Sequence, residues 1–459
     1  MGKSPHVIRT GLLLAISVTA PVDSWAQQAP SARTPVAPQP QRAARKGPVP
    51  ARTLTPAEQH AQAVEGRLVP AVRIKGKPVG DMTLVARMKK YHVPGVSIAV
   101  INDNAIEWAK GYGTADASPV DTATVFRAGA AGEPVAAIIA LRLSRAKKLD
   151  LARDVNRSLK GWKIPKSDFT RNKPVTARAL LTHSSGLAVT APGASLTGIT
   201  SVASPGDAVH PSPADYQVLE QLFADLAKRP FASLAADSVL VPLEMHHSGF
   251  SAAGLSTTPS DLARLTAEIQ RAGGGKDGKV LIAESARQML SAEHVGWPGM
   301  GVMVEGRDQS ARFRASGSLD GSSAELVGYI SRGQGAVVMT NSSGGDALAE
   351  EILNAIATVY GWPDFVSPEK SVARVDSRVY DRFVGRYAYD SREVSIARRG
   401  TRLFIGPSGK ESTELLPESV SDYFSTDPGA FYSFVFDEHG KVQAFTERQR
   451  FDYTRWDRR

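Results

Sequence analysis

The stretch Phe126-Arg-Ala-Gly-Ala-Ala-Gly-Glu-Pro134 connects an extended residue pair to a turn of small residues and then to the start of a helix. Apolar residues continue over Val135–Leu143, which predicts a buried helix there. The segment Leu149-Asp150-Leu151 closes this unit. The turn therefore lies at a helix N-terminus, where the helix dipole and free backbone N–H groups favour negative charge.

Patterns on both sides of this stretch predict one α+β domain. Toward the N-terminus, Met82–His92 has helical spacing, and Val96–Ile101 and Ile106–Tyr112 predict a strand hairpin. Residues 187–210 carry almost no charge and many small residues, which predicts a long loop. Helices are expected next, over Tyr216–Leu226, Ser233–Val241 and Ser260–Ala272. Strands and a final helix are then expected at Gly299–Val304, Arg312–Ser318, Ala324–Ile330, Gly335–Asn341 and Ala347–Tyr360. Strands at both ends of the segment indicate a sheet built from both ends.

Two further regions flank this domain. Residues 372–459 show short alternating runs with turn signals between them, which predicts a small all-β barrel or sandwich. Residues 27–60 carry seven prolines and scattered arginines without apolar periodicity, so we predict a disordered linker over 27–62. The α+β domain is therefore expected over residues 63–365.

The N-terminal 26 residues have the pattern of a secretory signal peptide. Lys3 and Arg9 form a charged part, Gly11–Val22 an apolar part, and Ser24-Trp25-Ala26 a small-x-small cleavage site. The apolar part is about half of the roughly 20 residues that span a bilayer. We expect cleavage near Ala26 and a periplasmic or secreted mature protein, with no transmembrane segment in it.

Composition excludes several classes of site. The chain has no cysteine, which excludes disulfides, zinc–thiolate sites and a cysteine nucleophile. The net charge is +9, and residues 27–60 contribute +4 of it. The folded part is only mildly basic, so the composition gives no indication of nucleic-acid binding. No metal-binding motif appears, and we expect no metal and no cofactor.

Several segments together carry a family resemblance. The segment Val175-Thr-Ala-Arg-Ala-Leu-Leu-Thr-His-Ser-Ser-Gly-Leu187 is the most recognisable of them. Others that support it include His92–Ile101, Pro242–Met245, Ser256–Leu262 and Val337–Asn341. Over roughly residues 63–365 the chain resembles the class C β-lactamase and penicillin-binding-protein family of serine hydrolases. The resemblance implies an antiparallel sheet flanked by helices, with a helical subdomain. Residues 372–459 resemble the lipocalin-like β domain that some family members carry.

Members of that family use three motifs for acyl transfer: Ser-x-x-Lys, Tyr-x-Asn and Lys/His-x-Gly. Aligned on the resemblance, five catalytic positions are replaced in this chain, by Ala130, Glu133, Pro211, Pro213 and Ala315. A methyl group cannot attack a carbonyl, and proline offers neither a phenol nor an amide donor. The resemblance therefore implies a degenerate active site in an otherwise readable framework.

The same alignment implies a ligand pocket lined by Ala130, Glu133, Ser212, Ser316 and Gly317. His183, Ser184 and Ser185 match a framework turn of the family, and we expect hydrogen bonding that fixes the turn. The literal matches Ser144-x-x-Lys147 and Ser367-x-x-Lys370 are out of register, and about two such matches are expected by chance in this length.

Three functions remain open on the sequence alone. The favoured one is an exported pseudoenzyme that binds a cell-wall-type peptide or an envelope protein without cleaving it. The alternative is an active serine hydrolase or esterase of the same fold that uses Ser316, Ser212 or Glu133. A third is a purely structural envelope protein. The oligomeric state is not indicated by any sequence pattern.

Overall fold

The computed structural model describes residues 53–459, except 192, 252–253, 293–296, 320, 343, 390–391, 408–411, 427–428 and 450–451. The predicted signal peptide and most of the predicted linker lie outside the described residues. The helices are α1 Pro56–Gly66, α2 Leu84–Lys90, α3 Glu133–Arg145, α4 Ala177–Leu181, α5 Pro213–Ala227, α6 Phe231–Ala235, α7 Pro259–Gly273, α8 Ala283–Met289 and α9 Gly345–Tyr360.

The strands fall into a group within the first 370 residues and a group in the C-terminal part. The first group is β1 Arg73–Ile74, β2 Gly95–Asn102, β3 Ala105–Ala115, β4 Ser118–Pro119, β5 Phe126–Arg127, β6 Leu187–Val189, β7 Ile199–Ser201, β8 Gly249–Ser251, β9 Gly254–Thr257, β10 Trp297–Pro298, β11 Met303–Glu305, β12 Arg312–Leu319, β13 Ser322–Tyr329, β14 Gly335–Thr340 and β15 Glu369–Lys370. The second group is β16 Gly385–Tyr389, β17 Arg392–Arg399, β18 Arg402–Gly406, β19 Thr413–Pro417, β20 Asp422–Thr426, β21 Gly429–Phe436, β22 Val442–Gln449 and β23 Asp452–Arg458.

An eight-stranded sheet forms the centre of the larger domain. Its order is β10-β11-β12-β13-β14-β2-β3-β4, and β14 pairs antiparallel with β2, so strands from the two ends of the domain meet in its middle. This confirms the predicted α+β fold. All of β14 and nearly all of β2 are buried, because helices cover both faces of the sheet.

Alternating residues of β2 enter two different cores. Val96, Ile98 and Val100 pack with α1 and α9 on one face. Ala99 and Ile101 pack with α3, α5 and α7 on the other face. This separation follows from the two-residue period of a strand. The second face is the one that carries the candidate site.

Two predicted segments differ from the structure. Helix α1 begins at Pro56, six residues before the predicted end of the linker, because Thr55 and Glu58 form a capping box at its N-terminus. Residues 187–210 are not a plain loop, since β6 and β7 pair as a short hairpin within them. The sequence did not indicate this hairpin, because strands of only three residues have no clear pattern.

The C-terminal strands close into an antiparallel barrel of eight strands, β16 to β23, with β23 pairing back onto β16. Aromatic side chains fill its interior: Phe383 and Phe434 stack with ring centroids 4.2 Å apart, and Tyr387 and Phe445 are fully buried. Eight strands enclose an interior that side chains can fill, so packing stabilises this barrel. The predicted all-β C-terminal region is confirmed as a barrel.

Candidate functional site

The segment around Ala130 forms the predicted strand, turn and helix. β5 pairs with β9, a 3₁₀ turn covers Gly129–Gly132, and α3 starts at Glu133. Pro134 suits the first turn of α3, where a missing N–H costs no hydrogen bond. Ala130 is exposed on this turn, at the place where the family resemblance predicts a nucleophile.

β12 lies directly against this turn. A Cβ atom built on Gly317 would stand 2.2 Å from Ala128 O and 2.4 Å from Ala130 N, so only glycine fits there. β11 pairs with no residue of β12 beyond Arg314 in the described part of the chain. Among the described residues, β11 therefore leaves the remainder of this edge of β12 unpaired, and the turn lies over the sheet face at Gly317. The structure therefore brings the first predicted motif, at Ala130, against the third, at Gly317.

Ala315 and Ser316 differ in their surroundings. Ala315 is 7% exposed and belongs to the hydrophobic core, so a position that would hold a cation in the family contributes apolar packing here. Ser316 is exposed on the edge of β12. Its hydroxyl has no hydrogen-bonding base among the described residues.

The second predicted motif forms the start of α5. The Ser212 hydroxyl accepts a hydrogen bond from Ala214 N at 3.2 Å and caps the helix. Pro211 and Pro213 are exposed on either side of it. The segment that leads into α5 is held by a backbone hydrogen bond, because His210 N donates to His183 O at 2.6 Å.

Glu133, His183 and Asp215 form a line of charged side chains behind Ala130. His183 Nε2 lies 3.2 Å from Glu133 Oε2, and His183 Nδ1 lies 2.9 Å from Asp215 Oδ2. The Ser185 hydroxyl donates to the other Asp215 oxygen. His183 is thus held between two carboxylates. Its backbone has a positive φ of 53°.

The two carboxylates keep His183 protonated. Burial alone would lower the pKa of His183, but the hydrogen bonds to Asp215 and Glu133 and the charges of both carboxylates raise it to about 10. Burial raises the pKa of Asp215, and the hydrogen bonds from His183 and Ser185 oppose this rise. An imidazolium flanked by two carboxylates leaves one net negative charge behind the turn.

Tyr216 also reaches this cluster. Its ring centroid lies 5.4 Å from that of His183, and its hydroxyl donates to Leu181 O at 3.4 Å. Burial, supported by the charges of Glu133 and Asp215, raises the pKa of the Tyr216 phenol well above its usual value. The phenol therefore stays neutral and cannot act as a phenolate base.

Asp215 and Tyr216 were not predicted as site residues. The signal for Asp215 is present in the sequence, since it lies on the apolar face of α5 that also carries Val218, Leu219 and Leu222. A carboxylate on a buried face requires a partner. The partner, His183, is 32 residues away, and only the fold identifies it.

The remaining candidates lie away from the turn. Ser144 is at the C-terminal end of α3, and Ser367 lies just before β15. No group of three or more His, Asp or Glu side chains in the described residues could hold a metal ion. No helix within those residues is long and apolar enough to cross a membrane.

Comparison with known proteins identifies the family. The family model described as beta-lactamase matches residues 81–359, which is more than half of the chain. The chain belongs to the beta-lactamase family. The matched range contains the turn at Ala130, the start of α5 and strand β12.

A sequence relative and two solved structures are also similar to this chain. The Protein flp of Staphylococcus aureus (strain N315) is 26% identical over 192 residues, which is 37% of this chain and 37% of that protein. The match thus spans little more than a third of flp. The octameric penicillin-binding protein homologue from Pyrococcus abyssi aligns with a TM-score of 0.56 at 17% identity, over 81% of this chain and 98% of that one.

A second solved structure, EstCE1, is a hydrolase with promiscuous acyltransferase activity. It aligns with a TM-score of 0.54 at 17% identity, over 65% of this chain and 99% of that one. At these identities the two structures show a shared fold alone.

Proposed function

We propose that this chain is an exported, catalytically inactive member of the beta-lactamase family that binds a peptide segment of the cell wall or of an envelope protein. The observation that supports the proposal most strongly is Ala130. It occupies the exposed turn at the start of α3, against β12, without a side chain that can attack a carbonyl.

The neighbouring groups do not replace the missing chemistry. His183 is protonated at neutral pH and cannot accept a proton, and its ring holds Glu133. The Ser212 hydroxyl caps α5, and Ser316 has no hydrogen-bonding base in the described part of the chain. Removal of a nucleophile alone lowers turnover on the order of 10⁶-fold. These contacts count against an active hydrolase that uses Ser212, Ser316 or Glu133.

The edge of β12 supports binding. An extended peptide can add to an exposed strand edge through backbone hydrogen bonds. Ser316 and Ser318 are exposed on this edge, and Gly317 keeps it close to the turn. The cluster behind the turn has two carboxylates and one imidazolium, and Ala315 supplies no cation. A segment with a free amine fits this charge better than a terminal carboxylate does.

Covalent labelling tests the loss of chemistry. The wild-type protein should take up no fluorescent penicillin and hydrolyse neither nitrocefin nor p-nitrophenyl esters, because Ala130 has no nucleophilic group and Ser316 has no hydrogen-bonding base among the described residues. Ala130→Ser should remain unlabelled, since Glu133 stays paired with His183. Labelling or ester hydrolysis by the wild type that disappears in Ser316→Ala or Glu133→Gln would contradict the proposal and support the active hydrolase.

Pull-down with isolated peptidoglycan and with envelope extract tests the binding. Ser316→Trp should reduce binding, because the indole covers the edge of β12. Ser118→Trp is the matched control, since Ser118 is also exposed but lies on β4, at the other end of the same sheet. Equal binding by both variants would place the binding surface elsewhere and refute the proposed use of this edge.

A further inference from the structure

A second cavity lies on the opposite face of the central sheet from the candidate site. It has a volume of about 500 Å³ and lies between the end of α1, the segment that follows it, the C-terminal half of α9 and residues 362–367. Small-molecule sites in proteins span roughly 300–1,000 Å³. The cavity therefore has the size of a ligand site and is separate from the turn at Ala130.

The walls of this cavity are mainly apolar. They include Leu68, Val69, Met82, Trp362 and Val366. Val366 is 74% exposed, so part of this apolar surface is open to solvent. An aliphatic chain is the ligand chemistry that such walls favour.

Two arginines supply unbalanced positive charge at the same cavity. Arg67 and Arg73 both line it and are exposed. The one lining carboxylate, Asp364, is already paired, since its Oδ2 lies 2.5 Å from Arg312 Nη1. The wall of the cavity therefore offers an anionic ligand two guanidinium groups, which bind carboxylates well.

Two buried polar atoms of the lining residues have no hydrogen-bond partner in the described part of the chain: Trp362 Nε1 and Ser367 Oγ. Trp362 is 6% and Ser367 5% exposed. Buried donors are normally satisfied, so these two atoms leave residues of the cavity wall with unused hydrogen-bonding capacity.

The backbone of the same wall is strained. Phe365 has a φ of +62°, a conformation that bulky residues rarely adopt outside functional or constrained sites. Its ring packs on Trp362 with centroids 5.7 Å apart. The surrounding contacts hold Phe365 and Trp362 in place as a rigid wall.

We propose that this cavity binds an aliphatic carboxylate of medium chain length, with the carboxylate at Arg67 and Arg73 and the chain against Trp362, Met82 and Leu68. The volume of about 500 Å³ is sufficient for one such chain. The site is independent of the proposed peptide binding at β12.

Calorimetric titration of the full chain with decanoate tests this site. Wild type should bind decanoate saturably, below the concentration at which decanoate forms micelles. Butyrate and decan-1-ol, which lack the chain and the charge respectively, should each bind more weakly. The double substitution Arg67→Gln and Arg73→Gln should weaken decanoate binding about tenfold or more, the effect of losing a charge-assisted hydrogen bond, and leave decan-1-ol unchanged.

Two variants keep the test decisive. Ala63→Trp fills the cavity from the exposed side of α1 and should abolish binding while the far-UV circular dichroism stays native. Arg153→Gln with Arg157→Gln removes the same charge at exposed positions that do not line the cavity and should bind as wild type does. No saturable binding by wild type, or equal binding by wild type and Ala63→Trp, would overturn the proposal.

Discussion

At the scale of single residues, the site is organised around His183 and two carboxylates. The family resemblance places a lysine where Glu133 stands, so this position carries the opposite charge here. The cluster remains stable because His183 supplies a cation between Glu133 and Asp215. Ser185 satisfies the second oxygen of Asp215. Glu133 is thus part of a partly buried ion pair, and this pair keeps its carboxylate bound to His183.

Replacement of His183 by Gln should destabilise the protein by about 3–5 kcal/mol near neutral pH, because it leaves the buried Asp215 carboxylate without a cation. The pKa of His183 is raised from 6.5 to about 10 on folding. Its stabilisation is therefore fully present below pH 6.5 and is lost as the pH rises toward 10, by up to about 1.4 kcal/mol per pH unit. Urea unfolding of both proteins from pH 6.5 to 10 measures this difference.

His439→Gln is the control for that series, since the His439 side chain is 81% exposed. It should unfold as wild type does at every pH. A stability difference between wild type and His183→Gln that stays constant from pH 6.5 to 10 would show that His183 is not protonated in the folded protein.

At the scale of elements, the contact between β12 and the turn at Gly129–Gly132 decides the shape of the site. Gly317 permits this contact, and its neighbours Ala128 and Ala130 approach through backbone atoms, which cannot rotate away. The contact depends on backbone geometry alone. The contact therefore requires no polar side chain at Ala130 or Ala315.

Gly317→Ala should therefore lower the free energy of unfolding by about 1–3 kcal/mol, since its Cβ would overlap Ala128 O and Ala130 N. Gly66→Ala is the matched control. A Cβ on Gly66 meets no atom within 4 Å, so this change at the end of α1 should be neutral or slightly stabilising. Chemical denaturation of the two variants compares them, and equal stability would refute the tight contact of β12 with the turn.

At the scale of the whole molecule, the sequence predicted the type of fold better than the contents of the site. The sheet built from both ends is predictable because β2 and β14 are mostly apolar and almost entirely buried. The alignment locates Ala130, Pro211 and Ala315 because their flanking segments are recognisable. It misses the charged cluster, since the pairing of Glu133 and Asp215 with His183 joins residues from three separate elements. Long-range pairs of this kind have no local pattern.

The sequence also did not predict the junction between the larger domain and the C-terminal barrel. β1 and β15 pair in parallel, which links the segment after α1 to the segment that leads into the barrel. Lys370 continues this junction, because its Nζ pairs with Glu418 Oε1 at 2.7 Å. A two-residue strand has no recognisable pattern in sequence. The barrel is consequently attached by backbone pairing as well as by the covalent linker.

Gly429 lies at the same junction, and a Cβ there would stand 2.4 Å from the Cβ of Ala71. Gly429→Ala should push β21 away from the segment after α1, cost about 1–3 kcal/mol of stability and expose residues 363–371 to proteases. Limited proteolysis followed by mass spectrometry measures this exposure. Gly249→Ala is the control, because a Cβ at Gly249 meets no atom within 4 Å. If both variants resist cleavage as wild type does, the contact between Gly429 and Ala71 does not hold the barrel in place, and its proposed role is wrong.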